Sequence, residues 1–138
     1  ILPNAKIIDA RRNPMDGCFS CFKQYFAKGQ HFTYDLDDIA RYYKDYERLM
    51  GFWNNYFPKS IHTVLYENVI NNPEDEVRKM LDYLELPFEE SCMNFYKSAR
   101  PVKTASSEQV RQPIYKSALN YWKNFENDLT MLSKHFNE

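Results

Sequence analysis

Glycine is scarce in this sequence of 138 residues, and its three copies, Gly17, Gly29 and Gly51, stand far apart. A glycine-rich phosphate loop needs several glycines within a few residues, so the sequence contains no such loop. Cysteine is scarce as well: three residues are too few, and odd in number, for a disulfide framework. We therefore expect a reducing, cytoplasmic setting.

The sequence also lacks an excess of positive charge and a long apolar run. The net charge of −1 gives no general attraction to nucleic acid, so any anion site must be local. No apolar run approaches the roughly 20 residues that cross a bilayer, and we expect no membrane segment. The start, "ILPNAKIIDARR", has neither an initiator methionine nor a signal pattern, which is typical of the interior of a longer protein.

Apolar and aromatic residues are plentiful. They make up 43 % and 17 % of the sequence, far from the composition of a disordered chain. The length fits one domain, residues 1–138, that can bury a core of its own.

Apolar periodicity and helix-capping residues predict an α/β order. Buried strands are predicted at 4–10 and 60–69, because the first run is short and apolar and the second is apolar at nearly every position. Helices are predicted at 14–28, 35–57, 73–86, 89–97 and from Pro113 onward, and a loop at 98–112. Strands separated by helices pair in parallel. Because two strands make a marginal sheet, either one strand escapes prediction or the rest of the sheet lies upstream.

Arg12 and Ser20 are the first candidate site residues. Arg12 follows a strand, and ligands of α/β folds sit at the carboxyl ends of strands. Ser20 lies two helical turns further on, a rise of roughly 10 Å. An arginine lying along the helix can share a phosphate group with the serine hydroxyl; the alternative is a surface arginine and a buried serine.

Three other features leave alternatives open. Tyr66 ends the second predicted strand and either contacts a ligand or packs on the next helix. The loop 98–112 is either functional or an ordinary solvated loop. Cys18 and Cys21 have the spacing of a redox or zinc pair, but they lie beyond the helix start and no further zinc ligands are spaced to join them; apolar core positions explain them better.

Three segments in this order resemble the carboxyl half of sulfotransferases that use 3′-phosphoadenosine-5′-phosphosulfate (PAPS). They are "AKIIDARRNPMDGCFSCF", "VLYENVINNPEDEVRKMLDYLELPFE" and "TASSEQVRQPIYKSALNYW". The resemblance covers about residues 3–135 and is closest to bacterial sulfotransferases linked to tetratricopeptide repeats, then to tyrosylprotein sulfotransferases. It implies a partial P-loop-like nucleotide-binding fold that is helix-rich, with few parallel strands and without the amino-terminal P-loop strand.

The resemblance also nominates residues that bind PAPS. Arg12 and Ser20 match the positions that hold the 3′-phosphate, and Tyr66 matches a tyrosine that contacts the nucleotide. The loop that closes over PAPS nominates Ser106 and, less directly, Ser107 and Arg111. The sequence departs from the family in two places: Tyr121 stands where a basic residue often precedes the tryptophan, and Gln24 stands where tyrosylprotein sulfotransferases carry an arginine.

The resemblance places two functional parts of the family upstream of this sequence. The 5′-phosphosulfate loop and the general base of the family have no counterpart in residues 1–138, so no catalytic residue is nominated here, and no metal is implied. We expect this chain to bind the 3′-phosphate side of PAPS for sulfuryl transfer to a hydroxyl or amine acceptor, and to be inactive alone.

Two other functions, and self-association of the chain, are also compatible with the sequence. The chain could instead be a non-catalytic helical interaction module that uses the aromatic stripe of helix 35–57, or a redox protein that uses Cys18 and Cys21. The stripe consists of the apolar positions Ile39, Tyr42, Tyr43, Tyr46, Leu49, Met50, Trp53 and Phe57. A sheet that lacks strands leaves apolar surface uncovered, so we expect the isolated chain to form a homodimer or to aggregate through it.

Overall fold

In the residues that the structure describes, two short parallel strands and five α-helices form a mixed α/β fold. The computed structural model describes residues 4–26, 28–102 and 107–136. Strands β1 (Ile7–Arg11) and β2 (Ile61–Leu65) pair in parallel, with Ile7 opposite Ile61 and Arg11 opposite Leu65. The helices are α1 (Pro14–Lys23), α2 (Leu36–Tyr56), α3 (Tyr66–Asn71), α4 (Pro73–Leu84) and α5 (Thr130–Ser133). Short 3₁₀ helices occupy His31–Tyr34, Glu90–Cys92, Phe95–Lys97, Gln109–Arg111 and Tyr121–Phe125.

The starts of α1 and α2 confirm the predicted caps. The Asn13 side chain accepts from the N–H groups of Met15 and Asp16, at 3.0 and 3.3 Å, and Pro14 occupies the first turn. Asp35 caps α2 in the same way. Both helices therefore begin where a side-chain oxygen satisfies free N–H groups.

Two element ends differ from prediction. Helix α1 stops at Lys23 instead of about residue 28: Gln24 is extended, and its N–H donates to the carbonyl of Cys21. Strand β2 stops at Leu65, and Tyr66 begins α3 rather than ending a strand.

The core lies beside the sheet, between α1, α2 and the carboxyl-terminal segment. Its buried members are Met15, Cys18, Phe19, Ile39, Ala40, Leu129 and Leu132. The prediction of buried strands is wrong for the described residues: Ile7 and Ile8 are 48 % and 39 % exposed, and in β1 only Asp9 is buried. Helices cover this two-stranded sheet only in part.

The aromatic stripe predicted for α2 is buried only near the start of the helix. Ile39 is buried, and Tyr43 and Tyr46 are half-buried, with their hydroxyls donating to Arg12 O and to Asp9. Further residues of the stripe are exposed, at 58 % for Tyr42, 52 % for Leu49, 37 % for Trp53 and 48 % for Phe57. The second half of α2 therefore extends past the core.

The chain after Pro87 is less helical than its periodicity predicts. The predicted helix 89–97 is two 3₁₀ turns, and the predicted helix after Pro113 is a 3₁₀ turn followed by the short α5. Asn120 is left-handed at φ 54°, and the N–H groups of Asn120 and Trp122 donate to Asp16. These two tertiary hydrogen bonds thus replace the backbone hydrogen bonds that a continuous helix would form at Asn120 and Trp122. In the described residues, no helix has the length and apolarity needed to cross a membrane.

Candidate functional site

A cavity of about 680 Å³ opens at the carboxyl ends of both strands. The strand ends and α3 contribute Ala10, Arg11, Val64, Tyr66 and Val69 to its lining, and Arg12 follows β1 directly. Helix α1 contributes Asp16, Phe19, Ser20 and Lys23, and the carboxyl-terminal part of the chain contributes Gln109, Tyr115, Ser117, Ala118 and Tyr121. This is the edge of a parallel sheet where ligands of α/β folds bind.

One face of α1 forms a wall of this cavity. Its lining residues are Asp16, Phe19, Ser20 and Lys23. They stand at positions i, i+3, i+4 and i+7, which is the pattern of a single helical face. Phe19 is buried and Ser20 is exposed. The same face therefore holds core contacts and presents a hydroxyl and an ammonium group to the cavity.

Arg12 retains unused hydrogen-bonding capacity. Its guanidinium lies over the ring of Tyr66, 4.9 Å from the centroid, and Nη2 donates to the carbonyl of Ala118 at 2.5 Å. Nε is buried and has no hydrogen-bond partner among the described residues. Leaving a buried donor unpaired is costly, and the guanidinium therefore has a donor that the described chain does not satisfy.

Asp16 is the one carboxylate among the residues that line the cavity, and its oxygens are engaged. Oδ2 accepts the N–H of Asn120 at 2.7 Å and Oδ1 accepts that of Trp122 at 3.0 Å. Nη2 of Arg12 lies 4.0 Å from Oδ1. Asp16 therefore anchors the opposite wall of the cavity, and Arg12 remains open to a second anion.

Lys23 adds a second cation that has no carboxylate partner in the described chain. Its Nζ lies 4.0 Å from the centroid of the Tyr121 ring and 4.8 Å from that of Phe19. Arg11, by contrast, pairs with Asp9, Nε to Oδ2, at 2.6 Å. The cavity thus carries a net positive charge, although the whole chain has a net charge of −1, and it suits an anion.

The structure brings Arg12, Ser20 and Tyr66 to the same cavity. Burial raises the pKa of Tyr66, although the Arg12 guanidinium opposes this shift. The phenol is therefore neutral at pH 7 and can donate a hydrogen bond or offer its ring face.

Of the residues nominated from the closing loop, Ser107 and Arg111 do not line the cavity. Arg111 donates to the carbonyls of Ser98 and Arg100, at 2.6 and 2.9 Å, and ties the loop to itself. Ser107 is half-buried and does not line the cavity, whereas Gln109 of the same loop does. Ser106 lies outside the described residues.

The cysteine pair has a structural position. Cys18 is buried in the core, and burial raises its pKa to about 12. Burial also raises the pKa of Cys21, which packs against the same core. Both thiols stay protonated at pH 7, which disfavours redox chemistry. The burial of Cys18 confirms its predicted core position, and Cys21 is partly buried at the edge of that core.

Four functional candidates escaped sequence reasoning: Asp16, Lys23, Gln109 and Tyr115. Lys23 was within reach, because it stands three residues after Ser20 on a predicted helix face. Asp16 was within reach in the same way, because it stands four residues before Ser20 on that face. Gln109 and Tyr115 reach the cavity from the carboxyl-terminal part of the chain, and no local pattern marks them.

Comparison with known proteins identifies the family of this chain. A model of the sulfotransferase family matches residues 1–90, which include Arg12, Ser20, Lys23 and Tyr66. An uncharacterized protein of Aquifex aeolicus (strain VF5) is 38 % identical over 134 residues, which cover 94 % of this chain and 18 % of that relative. The chain thus spans less than a fifth of the length of this relative. With the family model matching well over half of its residues, the chain belongs to the sulfotransferase family.

Proposed function

We propose that the cavity binds the 3′-phosphate side of PAPS and serves sulfuryl transfer from PAPS to a hydroxyl or amine acceptor. The observation that carries this proposal is that Arg12 and Ser20 line one cavity at the carboxyl edge of the sheet. The buried Nε of Arg12 has no hydrogen-bond partner among the described residues. A guanidinium binds phosphate through a planar pair of donors, and a serine hydroxyl adds another donor.

The chemistry of the lining residues fits such a nucleotide. Arg12 and Lys23 supply positive charge for a phosphate group, and Ser20 supplies a hydroxyl. The rings of Tyr66, Tyr115 and Tyr121 offer flat surfaces against which a base can pack. A cavity of about 680 Å³ falls within the range of sites that hold small organic ligands.

The role proposed for these residues is binding and orientation. PAPS supplies the sulfuryl group when it is bound, and adenosine 3′,5′-bisphosphate is what remains after transfer. Arg12 and Lys23 would neutralise the phosphate, and Ser20 would fix its direction, so that the donor is held in one orientation. We assign no catalytic base to residues 1–138 and propose that other parts of a complete sulfotransferase supply it.

The proposed function also includes the kind of sulfotransferase to which the chain belongs. We infer from the three quoted segments that the chain is the carboxyl-terminal part of a sulfotransferase domain of the kind linked to tetratricopeptide repeats, or of the tyrosylprotein kind. The much greater length of the Aquifex relative is compatible with a multidomain protein.

Calorimetry of the full-length protein with adenosine 3′,5′-bisphosphate tests the proposal. Arg12→Ala should weaken binding by roughly 10- to 100-fold, since hydrogen bonds between charged groups contribute about 1.5–3 kcal/mol. Arg12→Lys should restore affinity in part, because it keeps the charge and loses the planar fork. Arg48→Ala is the matched control: this arginine is exposed on α2 and pairs only with Asp45 among the described residues.

The same experiment separates the proposal from the non-catalytic alternative. That alternative draws on the exposed aromatic side chains near the end of α2, Phe52, Trp53, Tyr56 and Phe57. If the wild-type protein does not bind the bisphosphate, the donor-binding proposal is wrong and an interaction module becomes the better explanation. Binding that is equal in Arg12→Ala and wild type would remove the site assignment.

A further inference from the structure

We propose that Lys23 is a second cation for the anion bound in this cavity, and that the Tyr121 ring positions its ammonium group. This inference rests on the proposed function and adds to it a residue of the phosphate site. It concerns a lysine one turn beyond Ser20 and a tyrosine from the far end of the chain.

Lys23 stands one helical turn after Ser20 on the face of α1 that lines the cavity. Both residues line the cavity from the same face of α1, and residues three apart on a helix have Cβ atoms about 5–6 Å from each other. Arg12 approaches from the other end of that helix. Two cations and a hydroxyl group thus line the same cavity.

The rings hold the ammonium group without neutralising it. Nζ lies 4.0 Å from the Tyr121 centroid and 4.8 Å from the Phe19 centroid. A ring face attracts a cation through its quadrupole and leaves the net charge intact, whereas a carboxylate would cancel that charge. No carboxylate lies within 4.0 Å of Nζ among residues 4–26, 28–102 and 107–136.

Both rings are held in place by the fold. Phe19 is buried in the core and stacks with Tyr121 at 6.3 Å between centroids. Tyr121 stands between Asn120 and Trp122, whose N–H groups are held by Asp16. A flexible lysine side chain therefore faces a rigid aromatic surface, which reduces the rotamer entropy lost when it binds an anion.

Two cations in the cavity favour a dianionic phosphate group, and the proposed function places the 3′-phosphate, which adenosine 5′-monophosphate lacks, at this position. Arg12 supplies directed donors, and Lys23 supplies a compact charge. The contribution of Lys23 should therefore appear when adenosine carries both phosphates and should largely vanish when only the 5′-phosphate is present.

Calorimetry of the full-length protein with two ligands tests this inference. For adenosine 3′,5′-bisphosphate, Lys23→Gln should raise Kd about 10-fold, the size expected of one charge-assisted contact. For adenosine 5′-monophosphate, the same variant should change Kd less than about 3-fold, and Lys23→Arg should restore most of the affinity. Lys116→Gln removes an exposed charge from the neighbouring segment and should leave both values unchanged.

A double-mutant cycle tests the role of the ring. Tyr121→Leu should weaken binding of the bisphosphate several-fold, and Tyr121→Phe should not, because phenylalanine keeps the ring face. In the Lys23→Gln background, Tyr121→Leu should have no further effect, since the ring acts through the ammonium group. A merely structural Tyr121 would weaken binding equally in both backgrounds and would contradict its positioning role.

The outcomes for the inference and for the proposed function differ. If the bisphosphate binds, Arg12→Ala weakens it and Lys23→Gln does not, Lys23 is not part of the site and the proposed function stands. Equal losses in Lys23→Gln and Lys116→Gln would reduce the effect to general charge and overturn the inference. If the wild-type protein does not bind the bisphosphate, the proposed function and this inference both fail.

Discussion

Asp16 connects the two walls of the cavity through a single buried carboxylate. Its oxygens accept backbone N–H groups on either side of Tyr121, and Asn120 adopts a left-handed conformation at φ 54° beside them. Such a conformation is uncommon outside glycine, and asparagine tolerates it better than most residues. The carboxylate thus helps to fix the segment that carries Tyr121.

The first prediction concerns this carboxylate. Asp16→Asn should lower the free energy of unfolding by about 1–3 kcal/mol, because its amide NH₂ would face a backbone N–H and leave a buried donor unpaired. Urea denaturation measures the loss. Asp45→Asn, at an exposed aspartate of α2, is the control and should change stability by less than about 0.5 kcal/mol. Equal stability of both variants would show that the two hydrogen bonds to Asp16 contribute little.

Helix α1 is the element that relates the core to the site. Its start is fixed locally by the Asn13 cap and by Pro14, and the Asn13 N–H donates to Glu67 Oε1 at 2.8 Å. That last contact ties the start of α1 to α3, next to the carboxyl ends of both strands. The cap therefore positions Arg12, which immediately precedes it.

The second prediction tests this helix start. Asn13→Ala should cost about 1 kcal/mol of stability, because two N–H groups of the first turn lose their acceptor. Asn13→Asp should retain most of it, since aspartate caps equally well. Thermal denaturation followed by circular dichroism compares the three proteins. An unchanged melting temperature in Asn13→Ala would mean that packing alone determines where α1 begins.

Burial, complete or partial, raises the pKa of several thiol and phenol groups across the whole molecule. Burial raises the pKa of Cys18 from 9.0 to about 12 and is the main cause of the rise at Tyr43 from 10.0 to about 12. Burial, followed by the hydrogen bond to Asp9, raises the pKa of Tyr46 as well. Between pH 9 and 12 the folded chain therefore binds more protons than the unfolded chain.

The third prediction follows from that difference. The stabilising contribution of these groups is complete below about pH 9 and falls as the pH rises toward 12, by at most about 1.4 kcal/mol per pH unit for the buried Cys18. Urea midpoints at pH 8.0 and 10.5 measure the slope. Cys18→Ala should flatten it, whereas Tyr25→Phe, at a side chain that is 78 % exposed, should keep the wild-type slope. A midpoint that does not depend on pH would contradict this prediction.

Part of the apolar surface of the molecule is not covered by other residues of the described chain. Ile7, Ile8 and the aromatic residues at the end of α2 remain exposed in the described chain. Self-association through such surface stays a prediction, as does the inactivity of the chain alone.

The sequence by itself determined the features that depend on near neighbours. The caps at Asn13 and Asp35, the α/β order of elements and the placement of Arg12 after a strand all follow from residues within a few positions of each other. The family was also recognisable from three short segments, and the sulfotransferase match over residues 1–90 confirms it.

Only the tertiary structure decided which side chains share the cavity. The periodicity after Pro113 predicted one helix, but hydrogen bonds to Asp16, more than 100 residues earlier, replace helical bonds at Asn120 and Trp122. That interruption places Tyr121 against Lys23 and gives the Arg12 guanidinium a carbonyl partner at Ala118. No local pattern encodes a contact between segments so distant in the chain, because its energy arises only when both are packed on the same core.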